Sequence, residues 1–148
     1  MSLSGQLRTP RDLVEKLERE HVLLTHSVSS DGLFNFAVTS YCLFDWITAE
    51  QSIPTSVKRE LSTFRKNKEL LICRDIANAS KHFTLNADSR AKALTSTVTS
   101  EQGYGVGRFG VGNFGSGEEK ITIFLSDNTE VDVVEWSTTV LMHWSNFF

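Results

Sequence analysis

The sequence predicts a mainly α protein: an antiparallel helical bundle with a small antiparallel β-sheet, about three strands, inserted before a C-terminal helix. Three observations carry this expectation. Apolar residues recur at helical spacing through residues 10–83, residues after 93 alternate and are rich in Thr, Val and Ile, and a helical pattern returns over 136–147. With 148 residues, 40% hydrophobic content and net charge −3, the chain is read as one domain over 1–148, too apolar to remain unfolded.

Thr9-Pro10-Arg11-Asp12 is a helix start, with a capping hydroxyl, Pro at the first helical position and an acid at N3. Leu13, Val14, Leu17, His21, Leu24 and Val28 then repeat at helical spacing, predicting a helix over 10–28. Ser29-Ser30-Asp31-Gly32 interrupts it and offers the next cap. Residues 32–49 are apolar nearly all round (Leu33, Phe34, Phe36, Val38, Tyr41, Leu43, Phe44, Trp46, Ile47), which predicts a central, buried helix. Ile53-Pro54-Thr55-Ser56 breaks the chain, and Val57, Leu61 and Phe64 give a short helix to about residue 66. A fourth helix over 67–83 would turn Leu70, Cys73, Ile76, Ala77, Ser80 and Phe83 to the core, closing a four-helix bundle over 10–83.

A β insert is expected over 93–134. Ala93 to Thr99 has strand composition; Ile121, Ile123 and Leu125 alternate, Asp127-Asn128 turns the chain, and Val131-Asp132-Val133 returns. Ser137 is the expected cap of the last helix, which carries Val140, Leu141, Trp144, Phe147 and Phe148. Between the first two strands, the Gly-rich loop 103–117 holds seven of the nine glycines and repeats every five residues. It contains G-x-G-x-x-G twice, but leads into a strand and has no βαβ surroundings, so it is not read as a dinucleotide site. Tyr104, Phe109 and Phe114 would instead pack this loop on the domain or on a partner.

Composition excludes several classes. Apolar stretches are broken well before 18 residues, so no membrane partner is expected, and the first residues lack a basic segment followed by an apolar block. Two cysteines, Cys42 and Cys73, are too few for a disulfide framework, and a reduced cytoplasmic protein is the expectation. His21, His26, Cys42, Cys73 and His143 show no metal-ligand spacing, so neither a metal nor a cofactor is expected. Charge is unevenly spread: residues 1–57 carry −3, residues 58–92 carry +5 and residues 93–148 carry −5. The basic island can draw a polyanion or dock on the protein's own acidic parts.

On the fourth helix Arg74, Asp75, Asn78, Lys81 and His82 fall within one arc of about 120°. Any amphipathic helix needs a polar face, yet this one combines the parts of a metal-free nuclease. His82 would serve as general acid/base, Arg74 and Lys81 would hold phosphate, and the Asn78 amide would orient the imidazole. Asp45 sits among apolar neighbours; it either faces solvent or pairs with His82 or Arg74 as a supporting carboxylate beside Asp75.

The stretch Arg74-Asp75-Ile76-Ala77-Asn78-Ala79-Ser80-Lys81-His82, late in a helical bundle, resembles the HEPN superfamily of conflict-system proteins. Asn78 and His82 match the polar residue and the His of its common motif. The Arg of that version would stand at 77, which is Ala77, so Arg74 one turn earlier takes its place on the same face. The resemblance implies a helical fold, a homodimer with paired motifs at the interface, and either metal-independent RNA cleavage or a non-catalytic role. The chain also looks like small bacterial proteins of unassigned activity sharing Asp45-Trp46, Asn78, Lys81-His82-Phe83, the aromatic-glycine run and the C-terminal hairpin and helix. The functional expectation is a HEPN-like protein of toxin or defence type acting on RNA. Its rival is a non-catalytic module binding a protein partner through the basic island and the glycine loop. A small-ligand site between bundle and sheet is a third alternative. Trp144, Phe147 and Phe148 are the apolar surface expected to support dimerisation.

Overall fold

The computed structural model describes residues 3–82, 93–102 and 119–148. Among the described residues, five helices and a three-stranded antiparallel sheet occur in the order α1 (Pro10–His26), α2 (Ser30–Ala49), α3 (Thr55–Phe64), α4 (Lys68–His82), β1 (Thr95–Gln102), β2 (Glu119–Leu125), β3 (Glu130–Asp132) and α5 (Val133–Phe147). The fold class expected from the sequence is the one observed. Phe83 as a core residue and the loop 103–117, with Tyr104, Phe109 and Phe114, lie outside the described residues.

Thr9 caps α1 through a reciprocal pair: its hydroxyl accepts from Asp12 N–H at 3.2 Å, and Asp12 accepts from Thr9 N–H at 2.8 Å. The helix stops at His26, two residues short of the periodicity. Ser29 begins α2 instead, its hydroxyl accepting from Gly32 N–H at 2.9 Å. A Cβ at Gly32 would lie 3.1 Å from Leu24 Cδ1 and from Ser29 Oγ, so the missing side chain lets the two helices meet closely at their turn.

The α2 helix is central and touches α1, α3, α4 and α5. Its buried stripe is Leu33, Phe36, Ala37, Ser40, Leu43, Phe44 and Ile47, the i, i+3, i+4, i+7 set. Phe34 lies off this stripe and is 47% exposed, so the helix is not buried all round. Pairings fix the directions. Lys16 on α1 donates to Thr39, while Leu24 lies against Gly32, so α1 runs antiparallel to α2. Trp136 and Trp144 on α5 meet Phe36 and Phe44 in turn, so α5 runs parallel to it.

The short α3 starts at Thr55 and ends at Phe64, earlier than expected at both ends, because the Pro54 carbonyl already accepts from Val57 and Lys58 N–H. In α4, Leu70, Ile72, Cys73, Asp75 and Ala77 are buried. Ile72 joins the expected core set, since α4 is covered on two sides, by the bundle and by the sheet, and Ile76 packs against that core as expected. Ile76 and Ser80 are only half-buried.

In the sheet, order β1-β2-β3, β1 begins at Thr95 and carries an irregularity between Thr95 and Thr97. Ile121, Ile123 and Leu125 of β2 turn inward at 0–1% exposure and cover α5. Asn128 closes the β2–β3 turn with φ 69°. The last helix opens at Val133, with Asp132 accepting from Val134 and Glu135 N–H. Ser137 is therefore not its cap; it is buried inside the helix and donates to the Val134 carbonyl. Trp144 is core, not dimer surface: fully buried, it stacks edge-on with Phe44 and Phe64. Phe148 remains 45% exposed.

Candidate functional site

The residues singled out on α4 divide into two groups. Asp75 is 5% exposed and points away from solvent. Its Oδ2 accepts from the backbone N–H groups of Leu94 and Thr95, each at 2.8 Å, and its Oδ1 accepts from Arg74 Nε at 3.0 Å and Nη2 at 2.8 Å. The start of β1 brings two N–H groups that no sheet partner meets, and a carboxylate satisfies both at once. Asp75 is thus a structural pin between α4 and β1 and leaves the expected polar arc. Asp45 is exposed on α2 and forms no ion pair with Arg74 or His82 among the described residues.

Arg74, Asn78, Lys81 and His82 keep to one face of about 100°. Asn78 is half-exposed, and Lys81 and His82 are exposed at the helix end. Along that face Arg74 and His82 are separated by about 12 Å of helix rise. Arg74 turns toward Asp75, whereas Asn78 lies one turn from His82. The structure therefore groups Asn78, Lys81 and His82 and sets Arg74 apart.

Beside this helix end lies an open cleft of about 1030 Å³. The start of α2 supplies Leu33 and Phe34, the end of α4 supplies Ile76, Lys81 and His82, and β1 supplies Thr95 to Val98. The reason for the opening is visible in the register. Val98 pairs with Ile123 and Ser100 with Ile121, so all four share the sheet face turned to the helices. The β2 members are fully covered, whereas Val98 is 36% exposed and Ser100 is exposed. Among the described residues, α4 meets β1 at the start of the strand and leaves Val98 and Ser100 exposed further along it.

At the other end of the cleft Glu119 ties sheet to helix: it accepts from Ser30 N–H at 3.1 Å, Ser30 Oγ at 2.5 Å and Ser100 Oγ at 2.6 Å. The N-terminus of α2 is thereby already occupied by a carboxylate. Thr95 Oγ1 is buried with no hydrogen-bond partner among the described residues.

Part of the basic island is used internally. Lys58 Nζ donates to the Thr48 carbonyl at 3.0 Å, Arg65 stacks 4.4 Å over the Phe44 ring, and Arg74 binds Asp75. Lys66 and Lys68 stay exposed at the opposite end of α4 from His82. Cys42 and Cys73 are free thiols. Among the described residues no group of three His, Cys, Asp or Glu side chains could hold a metal ion, and no helix is long and apolar enough to cross a membrane. Sequence reasoning missed the cleft walls, Phe34, Val98 and Thr95–Thr97. The one signal present was Phe34, an aromatic outside the buried stripe of its helix. Comparison with protein-family models, with curated proteins and with solved structures finds no match to this chain.

Proposed function

We propose that this chain is a HEPN-like protein of toxin or defence type that acts on RNA, and that it meets the RNA at the C-terminal end of α4. The observation that carries this reading is the grouping of Asn78, Lys81 and His82 on the exposed end of that helix, beside an open cleft. Lys81 meets a backbone phosphate, His82 takes or returns a proton at the sugar hydroxyl or the leaving oxygen, and Asn78 steadies the imidazole. The family resemblance adds a homodimer that brings two such helix ends together. Two free thiols suit a reducing compartment, and we place the protein in the cytoplasm.

A second reading, binding without cutting, is favoured by one observation. The Arg74 guanidinium is held by Asp75, away from His82, so the cation that would stabilise charge on a reacting phosphate is already engaged. On that reading the protein is a degenerate member that docks RNA or a protein partner.

Incubation of purified protein with RNA beside a His82→Ala control separates these outcomes. Cutting that disappears in the control supports the catalytic reading. Binding with no cutting, weakened by Lys81→Ala, supports the second. Cutting that persists unchanged in the control overturns the role given to His82, and absence of any binding overturns the RNA reading.

A further inference from the structure

We infer that the cleft between α2, α4 and β1 is a subsite for one unpaired nucleobase, with Phe34 as its stacking platform. The inference rests on the RNA reading and deepens it by assigning a base-recognising residue that the α4 motif does not contain.

The two ends of the cleft differ in chemistry. Lys81 and His82 form a cationic, proton-donating end, while Leu33, Phe34, Ile76 and Val98 form an apolar wall. Phe34 is a large aromatic left 47% exposed at the rim of an open space, although its own helix has an unbroken buried stripe on another side. Across the cleft, on β1, Val98 is 36% exposed on a sheet face whose β2 members, Ile121 and Ile123, are fully covered. An occupant matching this arrangement has a flat apolar ring joined by a short polar link to an anion. A nucleotide unit of an RNA strand has that form. Its base lies on Phe34, its sugar passes β1 at Ser96 and Thr97, and its phosphate reaches Lys81.

Orientation follows from charge. The α2 N-terminus, the other place where a phosphate could be held, is filled by the Glu119 carboxylate, which would repel one. The phosphate therefore belongs at the Lys81 end and the base toward α2. A base held inside a duplex cannot reach Phe34, so the subsite takes unpaired nucleotides.

The test measures affinity for a short single-stranded RNA and for a strand of equal length and charge with abasic positions. Wild-type protein, Phe34→Ala, Phe34→Tyr and Lys81→Ala are compared, with circular dichroism and melting confirming the fold of each. Wild type is expected to bind the base-bearing strand at least about fivefold more tightly than the abasic one. Phe34→Ala is expected to erase that difference, Phe34→Tyr to keep it, and Lys81→Ala to weaken both strands alike. Equal binding of the two strands by wild type, or an undiminished difference in Phe34→Ala, overturns the subsite while leaving the RNA reading intact. Failure of wild type to bind either strand overturns both.

Discussion

Arg74 grips the carboxylate of its own neighbour, Asp75, through Nε at 3.0 Å and Nη2 at 2.8 Å. The other carboxylate oxygen holds the first backbone N–H groups of the sheet. Asp75→Ala would strand those two part-buried donors and remove the partner of a cation. It is expected to cost about 3 kcal/mol of stability, read as a lower urea midpoint. Arg74→Ala should cost less, since its side chain is 30% exposed and the two N–H bonds to Asp75 survive. An unchanged midpoint for Asp75→Ala would remove Asp75 from the α4–β1 junction.

Ser40 joins three elements from a fully buried position. Trp144 Nε1 donates to its hydroxyl at 2.8 Å, and the Cys73 thiol also hydrogen-bonds it. Ser40→Ala leaves the indole N–H without an acceptor in the core. The expected loss is about 1–3 kcal/mol, measured by denaturation, with little change in far-ultraviolet dichroism.

The two cysteines should separate in a thiol titration. Burial pushes the Cys73 thiol up to about 12 and removes it from solvent; Cys42 is half-buried, its thiol also raised, first by burial and then by Asp45. Native protein is expected to present Cys42 alone, slowly, to a disulfide reagent, and both thiols after denaturation. Rapid loss of two native thiols would contradict the packing of α4 on α2.

His21 sets an acid limit on stability. Its Nε2 lies 3.1 Å from Thr138 Oγ1, and that hydroxyl gives its own proton to the Val134 carbonyl, so the imidazole is the donor. Burial lowers the proton affinity of the ring below its ordinary value. The unfolded chain therefore binds this proton more readily than the folded one. The contribution is complete above the ordinary imidazole value of about 6.5 and declines as pH falls from there through the lowered folded value. Denaturation midpoints between pH 7 and 5 should fall less steeply in His21→Gln than in wild type. Parallel slopes would contradict this.

Elements with a local cause were legible in the sequence. The Thr9–Asp12 cap, the Ser29 break, the Asp127-Asn128 turn and the alternation of Ile121, Ile123 and Leu125 depend on near neighbours, and each appears in the structure. Long-range pairings were not legible. A polar periodicity placed Asp75 with His82 because it cannot see the two N–H groups that β1 delivers 19 and 20 residues later. Ser137 read as a cap because Asp132, five residues earlier, also served as a strand residue. Trp144 read as surface because its acceptor, Ser40, lies 104 residues away. A site between bundle and sheet was one alternative in the sequence, but its walls were not legible for the same reason: Phe34 on α2 and Val98 on β1 come to one cleft only in the fold.

The most direct test of the account is fluorescence anisotropy of a labelled RNA titrated with wild type, with a Lys81→Ala/His82→Ala double variant and with a Lys66→Ala/Lys68→Ala double variant. Both variants remove charge from exposed positions on or beside α4, at opposite ends. RNA engaged at the C-terminal end of α4 predicts a loss of about tenfold in the first variant and little change in the second. Equal losses in the two, or none in the first, would contradict it.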